Sequence, residues 1–167
     1  MMARALGAMV AAALLALAAN GAHAQMLDRK MLSLAEAKKM ATAAHAEAVK
    51  NNWKMAIAIV DPAGTLVYFE RMDDIQTGSI DVAIGKAVSA AKFNRSTTAQ
   101  EAAVTGNPAA TPPAPARPVL AKLFHLPTQG GLPIKAGDYF VGGIGCSGGT
   151  SPQDEQTCAA GLAALGK

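Results

Sequence analysis

Two β-rich runs, "WKMAIAIVD" and "TLVYFERM", meet at Asp61-Pro62-Ala63-Gly64, a turn signal that ties them into a hairpin. A hairpin makes its strands antiparallel neighbours, and the rest of the chain must then cover the faces of that sheet. A second unit of the same kind, "PIKAGDYFVGGIGCSG", turns at Ala136-Gly137-Asp138. Helix signals lie around and between them. Ser33-Leu34-Ala35-Glu36 is a capping box that opens a helix reaching about Asn51, and a second helix is expected from Ser79 to about Phe93. Thr98-Ala99-Gln100-Glu101 is another capping box, and Ser151-Pro152 marks the start of a last helix. Between these, "GNPAATPPAPARP" (Gly106 to Pro118) is too rich in proline for helix or ladder and reads as an extended loop. The order predicts an α+β domain: a central antiparallel sheet of two hairpins flanked by helices. Aromatic residues are only 4% of the chain, so the helices must pack closely on the sheet through alanine.

The chain has 167 residues, and its beginning carries an address. Arg4 precedes "ALGAMVAAALLALAA", and Ala22-His23-Ala24 supplies the small residues of a cleavage site before Gln25. The apolar run is shorter than the ~20 residues of a membrane span. We therefore expect residues 1–24 to be a signal peptide and residues 25–167 to be one domain, periplasmic or secreted, with no membrane span after cleavage. Arg4 is the sole charged residue removed, so the remaining charge is nearly balanced. No Lys/Arg cluster points to a nucleic-acid partner. Cys146 and Cys158 have two readings in an exported chain, a disulfide or two buried thiols.

Gly143-Ile144-Gly145-Cys146-Ser147-Gly148 has the G-x-G-x-x-G spacing of a dinucleotide site. That motif needs a βαβ unit and an acidic residue about 20 positions on. Here one helix ends the chain and no acid lies beyond Glu155, so no nucleotide cofactor is expected.

The runs "LSLAEAKKMATAAHAEAVKNNWKMAIAIVDPAGTLVYFERMDDIQTGSIDVAIGKAVSAAKF" and "GGLPIKAGDYFVGGIGCSGGTSPQDEQTCAAGLAAL" resemble the GlcG/HbpS (DUF336) family. The match rests on a "VD-x-x-G-x-L" hairpin, an "F-x-RMD" strand end, a "KA-x-x-A" helix and a closing "IG-x-SG…DE" stretch. It covers nearly the whole of residues 25–167 except the 106–118 loop. The resemblance implies a GlcG-like (profilin-like) sheet flanked by helices, homo-oligomers, and haem as a possible cofactor. It also implies a role in haem or redox sensing, or as an accessory to oxoacid catabolism.

Candidate site residues follow. Gly145, Ser147 and Gly148 could cradle an anion where the last strand meets a helix N-terminus, or simply form a turn capped by Ser151 with Asp154 and Glu155 answering the helix dipole. On a helical wheel His45 falls with Leu34, Ala41, Ala44 and Ala48, so it is either a haem-iron ligand in a small-residue groove or a hydrogen-bonded core histidine. His125, beside the loop, is a weaker ligand candidate. Strand alternation sends Arg71 and Asp73 to one face and Glu70 and Met72 to the other. Lys86 is expected on a side patch with Val82 and Phe93, where it could hold a carboxylate, face a subunit interface, or pair with Asp73 or Asp74. Three function classes are consistent with these residues. One is an exported haem- or small-ligand-binding protein. Another is a tautomerase- or isomerase-like enzyme with Arg71 and Lys86 binding a carboxylate and Asp73 or Glu70 as base. The last is an accessory oligomer without chemistry of its own.

Overall fold

The computed structural model describes residues 29–166; the expected signal peptide and its cleavage before Gln25 lie outside them. The elements are α1 (Leu34–Lys50), β1 (Ala56–Val60), β2 (Leu66–Arg71), α2 (Gly78–Phe93), α3 (Thr97–Thr105), a 3₁₀ turn (Pro118–Lys122), β3 (Gly131–Ala136), β4 (Tyr139–Ser147) and α4 (Ser151–Leu162). The two expected hairpins merge into one four-stranded antiparallel sheet of order β2-β1-β4-β3. Their junction is the β1–β4 pair, in which Ala58 stands opposite Gly145.

Side-chain size along β1 and β4 decides how the layers stack. Ala56, Ala58 and Val60 face α2, joining Ala83, Ala87, Val88 and Ala91 in one core cluster. Ile57, Ile59, Ile144 and Cys146 point the other way, into a larger cluster with Ala37, Met40, Ala41, Ala44 and Ala48 of α1 and Cys158 of α4. Period-two alternation thus sorts small residues to one face and large ones to the other. The glycines of β4 complete the small face. A Cβ added at Gly143 would sit 2.4 Å from the Ala87 carbonyl oxygen, and one at Gly145 would sit 2.2 Å from that of Ala83. These glycines therefore serve helix–sheet contact.

Several helix starts differ from expectation by one or two residues. Ser33 caps α1 as expected, accepting from the Glu36 amide at 3.2 Å. The cap of α3 is Ser96, which accepts from the Ala99 amide, so the expected Thr98–Glu101 box does not form. Both of its members bond elsewhere: Thr98 donates to Glu155, and Glu101 accepts from the Gln129 amide. In α4 the box is Thr150 with Gln153, moving the cap one residue back from Ser151. The 106–118 loop is more ordered than an extended segment. Asn107 and Ala114 exchange backbone hydrogen bonds of 2.9 and 3.0 Å, and the Arg117 amide returns to the carbonyls of Ala103 and Val104.

Both cysteines are buried free thiols. Cys158 Sγ donates to the Gly130 carbonyl at 3.2 Å. Burial, reinforced by the neighbouring Cys146, pushes the Cys158 thiol well above its ordinary pKa. The expected apolar patch on α2 is partly covered by the chain itself, since the Phe93 ring meets Phe124 edge-on at 4.8 Å. Among the described residues no helix is long and apolar enough to cross a membrane.

Candidate functional site

His45 lies at the border of the apolar stripe of α1. The buried line runs through Ala37, Ala41, Ala44 and Ala48, and one residue further round the helix His45 keeps 41% of its side chain exposed. From there it reaches across to the edge strand. Alternation along β2 places Tyr68 and Glu70 on the face that meets α1, and His45 Nδ1 bonds Glu70 Oε1 while the Tyr68 hydroxyl donates to Glu70 Oε2 at 3.3 Å. Burial, then the Glu70 charge, raises the Tyr68 phenol above its ordinary pKa.

This chain of three groups has a chemical consequence. A carboxylate on Nδ1 fixes the imidazole plane and tautomer and leaves the opposite nitrogen to face a ligand. His45 Nε2 has no hydrogen-bond partner among the described residues, on a side chain open to solvent. The arrangement offers one imidazole nitrogen to a ligand rather than a cage of several donors. Among the described residues no group of three or more His, Cys, Asp or Glu side chains is placed to hold a metal ion.

Lys86 is not on a side patch. It is 1% exposed, and its Nζ donates to Asp154 Oδ2 at 2.6 Å and to the Cys146 carbonyl at 3.1 Å. The wheel failed here because α2 is covered on more than its sheet-facing stripe. The β3 strand and the N-terminal end of α4 close over its flank, and Gly130 and Gly131 make room. A Cβ at Gly130 would lie 2.9 Å from Lys86 Nζ, and one at Gly131 would lie 2.5 Å from the Lys86 carbonyl oxygen. Burial pushes the Asp154 carboxyl up, and the Lys86 hydrogen bond opposes it.

The same pair explains the glycine turn. Asp154 Oδ1 accepts from the Gly149 amide at 3.0 Å, so a carboxylate of the chain itself occupies the anion position before α4. Gly145 is packed against α2, Ser147 is buried opposite Ala56, and Gly148 passes so near Lys54 that a Cβ would lie 2.0 Å from its carbonyl oxygen. All three serve the fold at this junction.

The remaining candidates do not converge. Arg71 and Asp73 are exposed around the end of β2, whereas Lys86 is sealed inside against α4. No carboxylate pocket built from Arg71, Asp73 and Lys86 exists among the described residues. Met72 is occupied within the fold, its Sδ accepting from the Met55 amide at 3.3 Å. His125 is exposed and stands over Gly85 of α2, remote from β2. The Glu70 partnership of His45 was half legible: alternation gives the face of Glu70, but nothing local names a helix residue 25 positions earlier as its partner.

Comparison with known proteins agrees with this architecture. Residues 32–163 match the family described as "Haem degrading protein HbpS-like". Protein GlcG of Escherichia coli K12 is 34% identical over 122 residues, covering 73% of this chain and 85% of GlcG. The structure of a Streptomyces reticuli HbpS double mutant superposes with a TM-score of 0.75 at 29% identity, covering 89% of this chain and 95% of that one. A PduOC:heme complex superposes with a TM-score of 0.71 at 25% identity, covering 82% and 96% of the two chains. A four-stranded antiparallel sheet with a small-residue face, matched over almost all of its described length, places this chain in the GlcG/HbpS (DUF336) family.

Proposed function

We propose that this chain is exported and binds haem, one per subunit of a homo-oligomer, with His45 Nε2 as an iron ligand. The observation that carries the reading is the Tyr68–Glu70–His45 chain, which holds the imidazole by Nδ1 and leaves the other nitrogen free at a half-exposed position. The relationship to HbpS, and to a PduOC solved with heme, supports the same ligand class. When bound, haem would supply an iron centre; this chain would hold it through the His45 imidazole, whose orientation Glu70 fixes.

Hemin titrated into the protein, with subunit number fixed by light scattering, should saturate near one equivalent per subunit. His45→Ala should weaken binding and shift the Soret band. Glu70→Gln keeps the imidazole but loosens its support, and should cost about 10–100-fold in affinity. His125→Ala should leave the titration unchanged. Equal affinity in wild type and His45→Ala would remove the ligand assignment, and no saturable binding would remove the haem reading altogether.

Export has its own test. The protein recovered from the periplasm or medium should begin at Gln25, because Ala22 and Ala24 suit signal peptidase. An exported chain that retains Met1 would rule this out.

A further inference from the structure

A cavity of about 580 Å³ lies between α3 and the Pro/Ala-rich loop, within the range of small-molecule sites. It is separate from the His45–Glu70 pair. That pair sits at the β2 edge of the sheet, whereas α3 packs beside β3 at the other edge. One wall is the methyl stripe Ala99, Ala102 and Ala103, spaced i, i+3, i+4 on α3; the other is Ala110, Ala114 and Pro115 of the loop. The loop is held in place before any ligand arrives. The paired Asn107 and Ala114 close it, and Gly106 turns into it at φ +87°, where a Cβ would lie 2.8 Å from the Ala116 amide nitrogen.

Charge at the rim is uneven. Arg95 and Arg117 both line the cavity, and Glu155 is its one acid. Glu155 already accepts from Thr98, and the Arg95 guanidinium donates to the Ala99 carbonyl at 2.8 Å. The Arg117 side chain has no hydrogen bond or ion pair among the described residues, although its backbone is anchored to Ala103 and Val104. Two guanidiniums against one carboxylate leave a single positive charge to be answered. The lining contains no aromatic ring, so it offers no stacking surface for a planar ligand.

From this arrangement we infer that the cavity binds an aliphatic monocarboxylate, with its chain along the alanine walls and its carboxylate on Arg117. A guanidinium fork meets a carboxylate through two parallel charge-assisted hydrogen bonds, and the methyl walls desolvate the chain.

Octanoate is a suitable probe and octanol its uncharged control, each titrated into isotopically labelled protein and followed by amide and alanine-methyl NMR shifts. Octanoate should bind saturably, with Kd below about 1 mM, and shift Ala99, Ala102, Ala103 and Ala114. Octanol should bind about tenfold more weakly. Arg117→Gln, a surface change that should not disturb folding, should bring octanoate down to the octanol level. Ala103→Leu should fill the cavity and abolish binding of both. His45→Ala should leave octanoate affinity unchanged, so failure here and failure of the haem assignment are separately visible. No saturable shifts, shifts mapping elsewhere, or equal affinity for octanoate and octanol in wild type would overturn the proposal.

Discussion

Lys86→Met is expected to lower the unfolding free energy by about 3–5 kcal/mol, measured by urea denaturation. Methionine fills nearly the same volume, so packing alone predicts little change. The cost arises from what stays behind. Asp154, 3% exposed, loses its counter-ion, and the Cys146 carbonyl loses a donor. Adding Asp154→Asn should recover part of the loss, because asparagine keeps an acceptor for the Gly149 amide without a charge to desolvate. The pH dependence has a definite sign. Burial raises the Asp154 pKa and Lys86 opposes that rise, so removing Lys86 moves the folded value further above the unfolded one. A carboxyl whose folded pKa is raised favours the folded state below its unfolded pKa and loses that advantage as pH rises towards the folded value. The deficit of Lys86→Met should therefore shrink as pH falls towards about 4, the ordinary carboxyl value, and grow as pH rises above it. A variant within about 1 kcal/mol of wild type at neutral pH would show that the pair is not the buried, mutually dependent contact described.

The second large effect is expected at Gly145. An alanine there places its methyl 2.2 Å from the Ala83 carbonyl oxygen and 2.4 Å from the Ala87 amide nitrogen. Both are backbone atoms, so no rotamer change can relieve the clash and α2 must move away from the sheet as a body. That separation opens the layer of Ala56, Ala58 and Val60 along its length. We expect a loss of about 3 kcal/mol or more in thermal or urea unfolding, at the upper end for core overpacking. Gly78→Ala is the natural control, since its added Cβ meets nothing within 4 Å at the first residue of α2. It should be neutral, or stabilising by up to about 1 kcal/mol through the unfolded chain. Similar losses at Gly78 and Gly145 would mean that helix propensity and chain entropy, rather than close approach, set the cost.

What the amino-acid sequence determined by itself is the part of the fold written in neighbouring residues. Turn chemistry at Asp61–Gly64 and Ala136–Asp138 and the Ser33 cap are settled within a few positions, so both hairpins and the first helix could be read directly, and the later helices to within one or two residues of their starts. Small residues alternating with large ones in β1 and β4 even carried the asymmetry of the two faces. Tertiary structure decided the rest, because covering a surface depends on elements far away in the chain. Lys86 read as part of a side patch with Val82 and Phe93 on its own helix and became buried when Asp154, 68 positions on, arrived with α4. His45 became an oriented imidazole only when β2 brought Glu70 beside it. The Pro/Ala-rich loop, featureless as a string, became one wall of a cavity because Asn107 and Ala114 pair and Arg117 is tied back to α3. Local signals fix backbone geometry through short-range hydrogen bonds and sterics, whereas the burial and charge of a side chain are properties of its surroundings.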